Sequence, residues 1–457
     1  MEYLSRLLQL GAMMPAFWFH PMCKSLKIIN LCFADDLVIF CKANCGSVQI
    51  IKQVFDDFCN SSGMKANLRK SQVFFGGIST QDKAQLQQVL HLEEGSFPLK
   101  YLGIPMRPTK WNEADCGEIL KKIKLRLHTW SSRHLSYAGK VQLISSVLLG
   151  LRNYWMNIFL LPQSIIKEVD KLCMWFLWGN NGSWSNFHLT SWSNVCLPKS
   201  FGGLGFGEGT KWNKAMLGKY IWAISHQREA LWVKWIHSVY LKGQTFWHYQ
   251  LKADTSWYWK KICQLRSIFT QEDIDKASSQ GKFKIGLLYA SLIHQAPVKY
   301  HQFVWSRMSV PKHKFITWQA INSKLLTRDH LLRVFMLLES TLCPVCELVD
   351  ESHSHLFFDY IFSQQVVRHI QDWVSCNWLL CFSVWTGWIE DMRRGVRASL
   401  VAAIFSATVY YLWHNRNNCF IHHYSLSVKA VIDMIKKDIM YRLSFSHKKL
   451  RGFELSF

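Results

Sequence analysis

Leu31-Cys32-Phe33-Ala34-Asp35-Asp36-Leu37-Val38-Ile39-Phe40 sets two adjacent carboxylates between apolar runs. The first run reaches back to Ile28, with Asn30 the one polar break, and the second ends at Phe40. Runs of this length, rich in Ile, Val and Phe, read as strands, and the acidic pair between them reads as the tight turn of a β-hairpin. Such a turn pushes both carboxylates out at its tip. There they repel one another, and a divalent cation relieves the repulsion. Asp is also a common turn residue because its side chain bonds the backbone locally, so a solvated hairpin accounts for the same residues.

Outward from the hairpin, Gly11 to Lys27 shows no clear period, whereas Val48, Ile51, Val54, Phe55, Phe58 and Cys59 recur at helical spacing. Asn60-Ser61-Ser62-Gly63 supplies a stop to that helix. A further strand is expected at Ser71 to Phe75, opened by Lys70 and Ser71 and closed by Gly76-Gly77, and a second apolar run, Leu99 to Pro105, contains Tyr101-Leu102-Gly103. The pattern then turns helical. Cys116, Ile119, Leu120, Ile123 and Leu127 mark one helix, and Ser136 is a plausible N-cap for the next. That next helix carries Val141, Ile144, Val147 and Leu148 on one face, with Lys140 and Arg152 at its ends, and a third runs from Ile165 to Trp178. Gly179 to Ser185 reads as a loop. The stretch Gly202-Gly203-Leu204-Gly205-Phe206-Gly207 resembles a dinucleotide fingerprint in composition only; its spacing is wrong and no βαβ context precedes it, so it reads as a structural turn. Lys211 to Trp259 is Trp-rich and helical, Asp254 to Ile262 opens another helix, and the polar stretch 270–285 reads as a surface connection.

At 457 residues the chain has room for about two to four domains with real cores. A hydrophobic fraction of 49% is globular and argues against extended disorder. Lys and Arg total 54 against 31 acidic residues, a net charge of +23 that points to a polyanionic partner, most simply nucleic acid. A membrane surface competes on electrostatics, but no polybasic block stands beside an apolar span. The longest apolar segment, Ala398 to Trp413, is shorter than the ~20 residues a bilayer demands and reads as a buried helix. Met1 to Pro21 has no basic start followed by a long apolar run, so no secretory signal is expected. The 14 cysteines are scattered, and the expected setting is reducing and intracellular. Twenty-two tryptophans would mostly fill core, with some able to stack on bases.

From Tyr300 to Arg333 the chain is apolar and basic at once: Trp305, Phe315, Trp318, Leu325 and Leu331 alternate with Arg307, Lys312, Lys314, Lys324 and Arg328. Basic residues interleaved with aromatics suit a nucleic-acid surface, and an ordinary amphipathic helix looks similar. Next comes Cys343-Pro344-Val345-Cys346, with His353 and His355 downstream. Two thiolates at this spacing can turn onto one zinc ion. His355 is well placed as a third ligand, and a fourth must be His353, Asp359 or a group elsewhere.

Taken together, Phe33-Ala34-Asp35-Asp36 with its apolar flanks resembles the metal-binding motif of reverse transcriptases of LINE-type (non-LTR) retrotransposons. The resemblance continues through Asn67 to Ser71, Phe74 to Gly77, Lys100 to Gly103 and Leu135 to Lys140. It extends over Phe176 to Gly179, Val195 to Lys199 and Gly202 to Gly205, and Phe315 to Leu326 with Cys343 to Phe362 resembles the zinc-binding domain that follows the polymerase in plant elements of this kind. The resemblance implies an α+β chain. A partial polymerase palm (hairpin plus helix) would occupy residues 1–108 and a thumb-like helical region 109–200. A Trp-rich helical connector would follow at 201–299, a zinc-binding-like domain at 300–395 and a helical C-terminal region at 396–457.

It also implies RNA-directed DNA polymerisation, in which two Mg²⁺ (or Mn²⁺) ions between carboxylates activate the primer 3′-hydroxyl and stabilise the leaving pyrophosphate. Asp35 and Asp36 match the paired catalytic aspartates, Lys70 a basic residue near the incoming nucleotide, and Tyr101 and Gly103 the region that grips the primer. Zn²⁺ would be held by Cys343, Cys346 and His355, with RNA and RNA–DNA hybrid as partners and the nucleus as location. Two departures matter. The third catalytic aspartate belongs upstream of the hairpin, where Glu2 is the one acidic residue, so fingers, half the palm and any endonuclease are expected to be missing. The fourth zinc ligand of the family, a Cys, falls at Tyr360. The expectation is a catalytically incomplete polymerase fragment. The alternatives are a non-catalytic nucleic-acid-binding remnant or the non-functional product of a decayed element.

Overall fold

Asn30–Phe33 (β1) and Asp36–Ile39 (β2) pair antiparallel in the computed structural model, with Phe33 opposite Asp36 and Asn30 opposite Ile39. The structure describes residues 1–65, 67–131, 135–179, 188–333, 338, 340–374, 389 and 395–444. It is predominantly helical with four small two-stranded sheets among the described residues, an α+β arrangement. Its chain divides into two compact units. The first comprises Met1–Gly117, Trp155–Pro162 and Asn213–Ser291; the second comprises Glu118–Tyr154, Gln163–Trp212 and Leu292–Phe457.

In the first unit, the helix Cys45–Ser62 starts at Asn44, whose side chain accepts from the Ser47 amide at 3.1 Å, and stops at Gly63 in the left-handed region (φ 72°). Its apolar stripe (Ile51, Val54 and Phe58) buries against Leu4 and Leu8 of the helix Glu2–Gly11, with Phe17 and Ile29 completing the cluster. Leu37 and Ile39 of β2 rest on this core, which anchors the hairpin. The strand expected at Ser71 to Phe75 is cut to Gln72–Val73 (β3), paired in parallel with Glu93–Glu94 (β4). Leu99–Tyr101 (β5) and Ile104–Met106 (β6) form a second hairpin. The polar stretch 270–285 is more than a connection. Thr270 and Asp273 cap the helix Gln271–Lys276 reciprocally, Ile274 is fully buried, and Ser278–Ser279 (β7) pairs with Lys282–Phe283 (β8). The helix expected from Asp254 begins at Trp257, because Ser256 supplies the cap.

The second unit is helical. Ser136 caps Tyr137–Leu143 as expected, and this helix packs on both Gln163–Trp178 and Pro311–Ile321. Of the expected loop at 179–185, all but Gly179 lies outside the described residues. Arg152, expected at a helix end, is fully buried. Its guanidinium meets Asp170 Oδ1 at 3.0 Å and donates to the carbonyls of Phe206 and Gly207 at 3.1 and 3.3 Å. The glycine-rich stretch is thus the carbonyl cradle of a buried arginine, and a Cβ on Gly203 would stand 2.2 Å from the Leu197 carbonyl oxygen. Burial outweighs Arg152 and holds the Asp170 carboxyl up at about 6.

Val396–His422 contains the long apolar segment, and its consecutive residues Leu400 to Phe405 are all buried. Coverage on every face marks a core helix. No helix among the described residues is long and apolar enough to cross a membrane.

His313 of the Pro311–Ile321 helix is buried between Tyr410, Tyr411 and Asp438, with Nε2 3.3 Å from Asp438 Oδ2. Burial pulls its pKa down to about 3, with Lys312 and Arg442 adding to the effect and Asp438 opposing it. The contact is therefore one of neutral imidazole with carboxylate. An unfolded histidine titrates near ~6.5, so below that pH the unfolded chain takes up a proton that the folded chain refuses. The His313 contribution to stability is full above ~6.5 and falls by about 1.4 kcal/mol per pH unit below it, or about 2 kcal/mol between pH 7 and pH 5. Buried His353, held down to about 4, adds to this loss, and Asp170, held up at about 6, offsets it. Denaturant titrations at the two pH values should therefore show His313→Gln losing about 2 kcal/mol less than the unaltered chain. An equally steep acid limb in the variant would refute the assignment.

Candidate nucleic-acid and metal site

Ala34 and Asp35 alone form the turn of the first hairpin, Ala34 in the left-handed region (φ 52°). Sequence reading puts both carboxylates in the turn, whereas the two-residue register places Asp36 at the first position of β2, opposite Phe33. Both aspartates are exposed, and among the described residues neither has an ion-pair or hydrogen-bonding side-chain partner. No third Asp, Glu, His or Cys joins them in a metal-binding group among the described residues. The pair therefore offers a cation two carboxylates and nothing more from this chain's described residues. Lys70 is exposed at the end of the 3₁₀ turn Leu68–Lys70. Tyr101 is half-buried in β5, and Gly103 follows Leu102 in a hairpin turn with positive φ at both positions (50° and 75°). That is the type I′ pattern, which glycine satisfies without strain. No described hydrogen bond or ion pair joins Lys70, Tyr101 or Gly103 to the aspartates.

The Cys/His residues do converge. The ligand atoms of Cys343, Cys346 and His355 lie within 4.8 Å of one another, and Cys346 Sγ is 3.4 Å from His355 Nε2. Local backbone bonds build this knuckle: the Cys343 amide donates to Val349 at 2.7 Å and the Glu347 amide to Cys343 at 2.8 Å, with Glu347 left-handed (φ 57°). The His355 amide donates to Ser352 Oγ at 3.0 Å, which sets the ring at the start of the turn His355–Asp359. Burial pushes the Cys343 thiol up, and the backbone amides of Cys346 and Val345 pull against it. Amides directed at sulfur favour thiolate, the form that binds metal. Two sulfurs and one imidazole nitrogen are a zinc donor set lacking one member.

Neither alternative fourth ligand joins the group. His353 is buried, with Nδ1 3.3 Å from Thr327 Oγ1. Asp359 accepts from Ser354 Oγ at 3.0 Å. Tyr360 stands beside the cluster, its ring centroid 5.7 Å from that of His355. Burial and the nearby thiols push its phenol up to about 12, so it stays neutral and is a poor anionic ligand.

Sequence reasoning misses the support of this knuckle. Glu351, fully buried, receives Arg416 Nε and Nη2, each at 2.6 Å, and the Arg328 amide at 2.7 Å. Arg328 Nη1 also donates to the Leu342 carbonyl at 2.6 Å. Glu351 and Arg416 lie 65 residues apart, and no spacing pattern links them. Within Tyr300 to Arg333, Phe315, Trp318, Leu325 and Leu331 are buried, while Lys312 is exposed and Lys314 half-buried, the division of an amphipathic segment.

Residues 283–366 match a protein family described as zinc-binding in reverse transcriptase, a span that contains the whole knuckle. Over 141 residues the chain is 34% identical to a protein of Arabidopsis thaliana named as a ribonuclease H protein, covering 31% of this chain and 23% of that one. Over 124 residues it is 24% identical to an uncharacterized mitochondrial protein of the same plant, covering 27% of this chain and 80% of that one. The chain thus spans under a quarter of the first relative's length. These matches make it reverse-transcriptase-related, with a zinc-binding segment of that type whose cysteines and histidine converge.

Proposed function

We propose that this chain is part of a LINE-type retrotransposon RNA-directed DNA polymerase and serves in it chiefly to bind nucleic acid. The observation that carries the reading is the convergence of Cys343, Cys346 and His355 inside the matched zinc-binding segment. Zinc held there would fix the knuckle loop as a rigid platform. The net charge of +23 supplies the attraction for RNA or an RNA–DNA hybrid. Asp35 and Asp36 are the proposed palm pair, exposed and free to take Mg²⁺ or Mn²⁺, and Lys70, Tyr101 and Gly103 are proposed contacts to nucleotide and primer. A divalent ion there would lower the barrier to attack by the primer hydroxyl, as two-metal sites do, but the polymerases this chain resembles use a third aspartate, and none joins the pair among the described residues. The chain alone is therefore proposed to be catalytically incomplete, acting in the nucleus.

Primer extension on an RNA template with purified chain and Mg²⁺ or Mn²⁺ tests this. The expected result is no template-dependent synthesis, alongside binding to RNA–DNA hybrid that weakens steeply as salt rises. Synthesis that is lost in Asp35→Ala would show the chain to be a complete polymerase. Absence of binding at low salt would remove the nucleic-acid reading itself.

A further inference from the structure

We infer that the phosphodiester backbone of nucleic acid is contacted at one face of the second unit, formed by Lys199, Lys312, Lys314 and Arg442 around the start of the Pro311–Ile321 helix. The inference rests on the nucleic-acid reading above and gives it an address. Lys199 opens a 3₁₀ turn, Lys199–Phe201, fixed by the Val298 amide donating to Ser200 at 2.8 Å and by Trp318 Nε1 donating to Gly202 at 2.7 Å. Its ammonium stands 4.6 Å from the Trp305 ring centroid. Arg442 lies across the loop that leads into the helix, Nε donating to Met308 at 3.1 Å and Nη2 to Arg307 and Ser309 at 3.1 and 3.4 Å. Lys312 Nζ is 4.6 Å from the Tyr410 ring centroid.

None of these four cations meets a carboxylate among the described residues; Lys199 and Lys312 rest on aromatic faces and Arg442 on carbonyls. Asp438, on the same helix as Arg442, is engaged by the Tyr411 hydroxyl at 2.7 Å and faces His313. Lys314 is held down to about 8 by burial and then by Lys199 and Arg442, and Lys312 and Arg442 both act on His313. The helix start compounds the excess: its first turn has no acidic residue, its N-cap Val310 makes no side-chain cap, and the Ser309 hydroxyl, 1% exposed, has no partner. A helix N-terminus is already partly positive, so lysines there are destabilising without an anion. An external polyanion would offset this positive excess at the helix start. A chain of +23 favours a polymer over a lone phosphate, since counterion release grows with the number of phosphates engaged.

The test compares the full chain with Lys199→Gln/Lys312→Gln/Lys314→Gln in fluorescence anisotropy, using single-stranded RNA and an RNA–DNA hybrid between about 50 and 200 mM salt. A control variant, Lys121→Gln/Lys167→Gln/Lys429→Gln, removes the same charge from exposed positions elsewhere in the unit. The site variant should bind on the order of tenfold more weakly, with a salt slope smaller by about 2, and should melt at the same or a higher temperature because repulsion is removed. The control should stay close to the unaltered chain. Equal affinity and slope in the site and control variants would overturn the inference and leave the nucleic-acid reading standing. No binding by the unaltered chain would overturn that reading first. Displacement of the oligonucleotide by millimolar inorganic phosphate at constant ionic strength would make this a small-anion site and also overturn it. Should the triple variant lose its helical circular dichroism, Lys199→Gln alone, at an exposed position, carries the same comparison.

Discussion

Glu351→Gln is expected to destabilise the second unit by about 3–5 kcal/mol, because it removes one member of a buried ion pair and leaves the other in place. Arg416 is nearly as buried as Glu351, with side-chain exposures of 3% and 0%. Its guanidinium is flanked by the rings of Trp413 and Phe420, centroids 5.0 and 4.7 Å away, so water cannot readily replace the lost carboxylate. An amide keeps the volume but accepts through one oxygen only, so one of the two short bonds from Arg416 turns into an N–H facing N–H clash. The Arg328 amide loses its charged acceptor as well. Because Glu351 also lies on the knuckle, its own amide bonded to Thr341 at 3.0 Å, the loss should reach the metal ligands. Denaturant unfolding should show the drop, and zinc affinity should fall with it. A change below about 1 kcal/mol would mean that the pair contributes no more than an exposed salt bridge. Joint replacement of Glu351 and Arg416 by apolar residues should be milder than Glu351→Gln alone, since no charge is then stranded.

Local chemistry made much of this molecule legible in advance. The hairpin around Asp35, the helix bearing Val48 to Cys59, the Ser136 cap and the buried Ala398–Trp413 segment all follow from periodicity and capping, which act within a few residues. The Cys343–Cys346 knuckle was legible for the same reason, because a two-residue spacing already brings the sulfurs to one side. What escaped depends on register or on distant partners. Asp36 moved from turn to strand because one residue of register decides which positions pair. Arg152 looked like a helix-end cation, yet it is buried because carbonyls more than fifty positions downstream receive it. The 270–285 stretch looked polar enough to be a connection, and a single buried isoleucine with a reciprocal cap was sufficient to fold it. Glu351 and Arg416 belong to the same class: charge composition cannot announce that two ions will be desolvated together.

Tyr360→Cys should raise zinc affinity on the order of a hundredfold. The donor set is two sulfurs and one imidazole, and structural zinc is held by four ligands in tetrahedral geometry. Removing a partner that merely orients a ligand costs about 10–100-fold in affinity, so adding a ligand should act at the upper end of that range. Position 360 is the place to add it. Its amide donates to the His355 carbonyl at 2.9 Å, which ties its backbone to the turn that carries the third ligand. Its phenol already feels both thiols. A cysteine side chain there is shorter than tyrosine and removes bulk beside the cluster. Zinc binding measured by competition with a chromogenic chelator should shift accordingly, and the metal should then resist chelation that strips the unaltered chain. Cys343→Ser in the Tyr360→Cys background should reverse the gain, since it restores a three-member donor set. If Tyr360→Cys leaves affinity unchanged while Cys343→Ser abolishes binding, the fourth position is filled by water or by a group outside the knuckle. The weakness of the site would then lie in the loop rather than in the tyrosine.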